Sequence, residues 1–178
     1  PRHIAVIMDG NGRWALKKGA ARLFGHKNAI EAVTDVATGC GELGVEFLTL
    51  YAFSTENWGR PKEEVDGLMG ILEDVIEREL AELDEQGVQI RHLGSLEQVA
   101  SGLQKGIINA VEQTRNNDRL VLNVALNYGG RAEIVDAVRH ALSHLDVVRK
   151  DAERLQKRTG WLGPAGLISY AARPSSQL

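Results

Sequence analysis

The chain has 178 residues, 43% hydrophobic and 25% charged, with a formal net charge of −3. That balance fits one globular domain over residues 1–178, long enough to bury roughly 70% of its unfolded surface. It excludes a nucleic-acid binder driven by bulk charge, an intrachain disulfide, since Cys40 is the only cysteine, and a transmembrane segment, since no apolar run approaches ~18 residues. No signal peptide is visible, and a lone thiol fits a reducing, cytoplasmic compartment.

In chain order, residues 3–8 read as the first strand, around the apolar run Ile4 to Ile7. Asp9-Gly10-Asn11-Gly12-Arg13 follows at once, and a short helix starts near Trp14. A second helix runs from about Arg22 to Leu43, with Ala29, Ile30, Val33, Val36 and Ala37 at helical spacing. Gly39, Gly41 and Gly44 weaken its end. Phe47 to Phe53 reads as a second strand, buried on both sides. Pro61 suits the first turn of a helix. That helix carries Val65, Leu68, Met69, Leu72, Val75, Ile76, Leu80 and Leu83 on one stripe and ends near Glu85.

Gly87 closes this helix and Val88 to Leu93 forms a third strand. Ser95 with Gln98 three residues on reads as a capping box for a helix to about Asn116. Leu120 to Leu126 is a fourth strand, and a last helix runs from Ala132 to about Lys157. Alternating strands and helices predict an α/β fold, a mostly parallel central sheet with helices on both faces. Asp9–Arg13, Ser54–Arg60 and Asn127–Arg131 then all fall just past strand C-terminal ends, where such folds bind ligands.

The first of these blocks suits a phosphate. A strand that breaks into Gly-Asn-Gly-Arg before a helix presents free N–H groups where the helix dipole favours negative charge. Asp9 would repel a bare phosphate, but a hard cation such as Mg²⁺ between them resolves the conflict. The plain alternative is a turn built from Asp-Gly and Asn-Gly. No Gly-Lys-Ser/Thr follows, so this is not a P-loop, and Ala at position 15 breaks the dinucleotide pattern G-x-G-x-x-G. Arg13, Lys17, Lys18, Arg22 and Lys27 gather near this turn, while 63–85 is acidic; the acidic run reads as a solvated helix face. His140 and His144 sit four apart on a helix but lack a third ligand, and read as surface or core residues.

The residues Ile7-Met8-Asp9-Gly10-Asn11-Gly12-Arg13-Trp14 closely resemble the opening motif of the cis-prenyltransferases, the undecaprenyl diphosphate synthase family. Gly25-His26-Lys27, Tyr51-Ala52-Phe53-Ser54-Thr55-Glu56-Asn57-Trp58 and Asn127-Tyr128-Gly129-Gly130-Arg131 strengthen the resemblance, in the family's order and spacing. It spans residues 1 to about 131. It implies a Mg²⁺-dependent transferase that condenses isopentenyl diphosphate onto an allylic diphosphate such as farnesyl diphosphate, with cis geometry. The product would be a polyprenyl diphosphate such as the undecaprenyl carrier of cell wall synthesis.

The resemblance also implies residue roles. Asp9 would bind Mg²⁺ and assist departure of the allylic diphosphate. Gly10, Asn11, Gly12 and Arg13 would cradle that diphosphate, with Trp14 beside them and Arg22 and His26 in contact. Ser54, Thr55, Glu56, Asn57, Trp58 and Arg60 would hold substrate. Asn57 matches the family's proton acceptor, although an amide is a weak base and fits better as a group that orients its neighbours. Asn127 to Arg131 would be supporting architecture, with Gly129 and Gly130 forming a tight turn. Apolar tunnel walls would come from the 65–83 helix and the second strand, and the absence of Asp-Asp-x-x-Asp disfavours trans-prenyltransferases.

Residues 158–178 match no family block, where the family has Arg-Thr-Ser-Gly-Glu and Arg-Leu-Ser-Asn-Phe for isopentenyl diphosphate, metal and dimer; Arg173, Ser175 and Ser176 are a faint echo. The expectations are therefore missing C-terminal strands, an uncovered apolar surface, and a chain that binds allylic diphosphate but condenses poorly alone. A family-type homodimer and peripheral membrane contact for product release are the implied associations. The alternatives are a non-catalytic allylic-diphosphate-binding or partner subunit, and a nucleotide-binding module.

Overall fold

The computed structural model describes residues 1–159. The backbone divides into a unit of residues 1–129 and a second unit beginning at Gly130. The first holds β1 (His3–Ile7), α1 (Asn11–Lys17), α2 (Arg22–Glu42), β2 (Phe47–Ser54), a 3₁₀ turn (Thr55–Gly59), α3 (Lys62–Glu85), β3 (Val88–Leu93), α4 (Ser101–Gln113) and β4 (Leu120–Tyr128). All four strands are parallel, in the order β1-β2-β4-β3. The α/β class with a parallel sheet flanked by helices is the one expected.

Pairing Ile4 with Leu48, Leu48 with Leu122, and Leu122 with Ile90 puts these apolar side chains on one face. Helices α2, α3 and α4 meet that face in two clusters. One joins Ala37 and Cys40 to Val45, Leu48, Leu50, Val88, Leu120 and Leu122. The other joins Val65, Leu103 and Ile107 to Phe53, Val99 and Leu126. Fully burying a Leu or Phe such as Leu48 or Phe53 contributes about 1.5–3 kcal/mol. The opposite face of β2 is only half buried at Phe47, Thr49 and Tyr51, so β2 is not buried on both sides as expected. Its Thr49 carries a polar row there, with His3 Nε2 at 2.8 Å and Asn123 Nδ2 donating at 3.1 Å.

The boundaries of α3 and α4 differ from expectation for identifiable reasons. Pro61 is the N-cap of α3 rather than a first-turn residue, its carbonyl accepting from Glu64 and Val65 N–H. The Ser95 signature does not start a helix. Ser95 Oγ accepts from Glu97 N–H, but the Ser95 and Glu97 carbonyls are taken by the Asn127 amide and Gln98 sits at φ 66°. A non-glycine residue in that region cannot lie within a helix, so α4 waits until Ser101. It ends at Gln113, ahead of the expected Asn116. There buried Thr114 donates to the Ala110 carbonyl and accepts from Ile90 N–H.

In the second unit, α5 spans Gly130–Thr159. Ile134, Val138, Leu142 and Leu145 are exposed along it. His140 and His144 are also exposed, each with Nδ1 on the carbonyl four residues back, in agreement with a surface reading. Among the described residues no helix is long and apolar enough to cross a membrane. Arg173, Ser175 and Ser176 lie outside the described residues.

Candidate active site

Parallel strands bring the segments after β1 and β2 to one end of the sheet. There a cavity of about 380 Å³ opens. Its polar rim includes Asp9, Asn11, His26, Ser54, Asn57 and Arg60. Behind them the walls are mostly apolar: Ile30, Val33 and Ala37 from α2, Leu68, Leu72 and Ile76 from α3, and Leu50, Leu122 and Val124 from the sheet. The sequence pointed to α3 and β2 as walls. The α2 and β4 contributions were missed, because a helix stripe facing a cavity has the same spacing as one facing a core. Val36, expected on the inner stripe, is exposed.

Gly10 caps α1 at φ 92°, a conformation a side chain would strain. Its N–H donates to Asp9 Oδ1, and Arg13 Nη2 donates to Asp9 Oδ2 at 3.0 Å. The Gly10 N–H, then the Arg13 cation, hold the Asp9 carboxyl below the usual carboxylate range. Gly12 is buried, with Arg22 lying against it. Gly25 is needed for close approach: a Cβ there would stand 2.1 Å from the Asn11 carbonyl oxygen. The Gly25-His26 pair therefore docks α2 on α1 and places His26 on the rim. Burial, then the Arg60 cation, push the half-buried His26 below its ordinary value of 6.5; Glu64 opposes and Arg22 reinforces.

After β2, Ser54 N–H donates to Asn57 Oδ1 at 3.1 Å. A backbone N–H can only donate, so the facing atom is the amide oxygen, and the Asn57 NH₂ remains as the donor end. This suits a group that grips phosphate oxygens better than one that accepts a proton. Arg60 is fixed by Glu64 at 3.1 Å. Thr55 donates to Glu56.

Gly10, Gly12, Arg13, Trp14, Arg22, Thr55, Glu56 and Trp58 do not line the cavity. Trp14 is 41% exposed and stacked on Phe24, with ring centroids 6.1 Å apart. Trp58 is drawn inward: its ring meets Phe53 edge-on, and Nε1 donates to Asn127 Oδ1 at 2.8 Å. Asn127 is the residue whose part the sequence understated. Buried at φ 52°, it ties the second block to β4 and to the 94–98 loop. The tight turn expected at Gly129 and Gly130 is there, one residue joining the end of β4 at Tyr128 to the start of α5, but its strained position is not a glycine. Positive φ falls on Asn127, Gly130 begins α5, and Gly129 serves a close approach to Thr55.

Comparison with known proteins identifies the family. The prenyltransferase family model, described as undecaprenyl diphosphate synthase, matches residues 7–162. An isoprenyl transferase of Clostridium tetani is 45% identical over 150 residues, 84% of this chain and 58% of that protein. The ditrans,polycis-undecaprenyl-diphosphate synthase ((2E,6E)-farnesyl-diphosphate specific) of Aliivibrio fischeri is 50% identical over 139 residues, 78% of this chain and 54% of its own length. The chain thus spans little more than half the length of these relatives. Lavandulyl diphosphate synthase from Lavandula x intermedia, solved in complex with dimethylallyl diphosphate, superposes with a TM-score of 0.79 at 32% identity. That match covers 82% of this chain and 63% of the other. A probable undecaprenyl diphosphate synthase from Campylobacter jejuni gives 0.64 at 30%, over 80% and 62%. A polar rim after β1 and β2, an apolar cavity behind it and a family match over most of the sequence lead to one assignment: the chain belongs to the undecaprenyl diphosphate synthase family of cis-prenyltransferases.

Proposed function

We propose that this chain holds an allylic diphosphate, farnesyl diphosphate being the first to test, and serves its condensation with isopentenyl diphosphate into a polyprenyl diphosphate. The observation that carries the reading is the cavity: a tail-sized apolar space whose rim carries Asn11, His26, Asn57 and Arg60 beside Asp9. Each CH₂ the tail removes from water contributes about 0.8 kcal/mol. The planar forks of Arg60 and Arg13 and the amide of Asn57 match diphosphate oxygens.

The residues also fit Mg²⁺. Among the described residues no cluster of three or more His, Cys, Asp or Glu could hold a metal ion. One exposed, ionised carboxylate plus substrate phosphate oxygens, however, is a common Mg²⁺ arrangement, and Asp9 is such a carboxylate. When bound, Mg²⁺ would neutralise charge on the departing diphosphate. Asp9 then anchors the headgroup end, Asn57 orients diphosphate oxygens, and the apolar walls keep water from the tail. A cytoplasmic location, a homodimer and a place in cell wall carrier synthesis complete the reading, supported by the family match.

The test is radiolabelled isopentenyl diphosphate with farnesyl diphosphate and Mg²⁺, products resolved by length, beside calorimetric binding of farnesyl diphosphate. Asp9→Ala should cut turnover on the order of 10²-fold with unchanged thermal stability. Near-normal turnover in that variant would sink the role of Asp9. Tight farnesyl diphosphate binding without transfer would mark the chain as the binding subunit instead. Stronger competition by nucleotides than by farnesyl diphosphate would overturn both.

A further inference from the structure

Between Asp9 and Glu31 the chain carries Arg13, Lys17, Lys18, Arg22 and Lys27 and no carboxylate. All five cations are exposed. Arg13 pairs with Asp9; among the described residues the other four have no ion-pair partner. In a chain of net charge −3 this is a local excess of positive charge, confined to α1, the turn after it and the start of α2.

The same corner exposes an aromatic pair. Ala15 and Gly25 occupy the contact between α1 and α2 and are buried. The residue before each lies about 100° round its helix, outside the contact. Those residues are Trp14 and Phe24, 41% and 48% exposed, their rings 7° from parallel. Lys18 Nζ lies 4.3 Å from the Trp14 ring centre. Flat aromatic rings flanked by lysines without ion-pair partners have the chemistry of an interfacial anchor. The rings suit the headgroup–acyl boundary, and the cations suit anionic headgroups. Asn11 and His26, on the same two helices, line the cavity rim.

We propose that the α1–α2 corner docks on an anionic lipid bilayer, with Trp14 and Phe24 entering the interface and Lys17 and Lys18 facing lipid phosphates. The proposal draws only its purpose from the function above: a rim held at a membrane delivers an apolar product without exposing it to water. The docking itself needs no substrate. A duplex nucleic acid is the competing anionic partner. It is disfavoured because the two rings stack on each other rather than standing apart to receive bases, and because the rest of the chain is acidic.

The experiment is co-sedimentation of the 178-residue chain with vesicles of phosphatidylcholine alone and of phosphatidylcholine with phosphatidylglycerol, without substrate. Binding is expected to the anionic vesicles only, and to weaken with salt. The double variant Lys17→Glu/Lys18→Glu should bind about tenfold or more weakly, with its farnesyl diphosphate affinity unchanged. Phe24→Ser should also weaken vesicle binding, judged on protein whose circular dichroism matches the parent. No binding of the parent chain to anionic vesicles, equal binding to neutral ones, unchanged binding by the lysine variant, or capture by duplex DNA in preference to vesicles would each overturn the proposal. Because vesicles are assayed without substrate, a chain that binds them but transfers no isoprene unit leaves docking intact and removes only the proposed function.

Discussion

At the scale of single residues, two rim groups have a direction that the backbone decides. Asn57 gives its oxygen to Ser54 N–H and keeps its NH₂ for a ligand. Asn57→Asp would retain that bond but replace the donor with a charge that repels diphosphate. The expected result is a rise in the dissociation constant for farnesyl diphosphate of about tenfold or more, read by calorimetry. Asn57→Ala should leave the shape of the pH–rate profile unchanged, and a lost basic limb would instead make Asn57 part of proton removal. His26 has its folded-state value lowered, chiefly by burial and then by Arg60. The unfolded chain therefore takes the proton first. As pH falls through the ordinary value of 6.5, the neutral imidazole of the fold becomes a growing liability, complete below the lowered value. An anion in the rim favours the protonated ring, so adding inorganic diphosphate should move the His26 NMR titration upward. An unmoved midpoint would place His26 outside the headgroup site.

At the scale of elements, glycine and asparagine decide how the blocks meet. Gly25→Ala puts a methyl group into the Asn11 carbonyl, which is backbone and cannot rotate away. Such overpacking costs about 1–3 kcal/mol. Thermal unfolding should show the loss, with weaker diphosphate binding as α1 shifts. The elements were largely legible in the sequence. Strand runs such as 88–93 and 120–126 and the stripe of α3 announce themselves by period, and the positions of Asp9 and Asn57 follow from strand ends. Less could be read where a distant partner decides. The 94–100 loop resembles a capping box, but the Asn127 side chain claims its carbonyls from 30 or more positions away. Likewise the motif around Trp58 suggests a substrate contact. The structure seats that indole on Phe53 and Asn127, through contacts that no local pattern encodes. Trp14 shows the reverse, a motif residue whose neighbours send it outward.

For the molecule as a whole, the telling feature is the division of the core of residues 1–129 into two clusters, one around Leu48 and Leu122, the other around Phe53 and Leu103. Side chains associated with both face the cavity, among them Leu50 and Leu122 from the first and Leu72 and Ile107 from the second. An isoprenoid tail would lie where a larger protein interior would place its own leucines, and so act as a missing piece of core. The empty protein should then loosen in stages, the amides of α2 and α3 exchanging with deuterium before those of β2 and β4. Ligand at 100 times its dissociation constant adds about 2.7 kcal/mol to the native state, and exchange across both helices should slow to a common rate. The guest hydrocarbon would turn two loosely coupled halves into one cooperative folding unit.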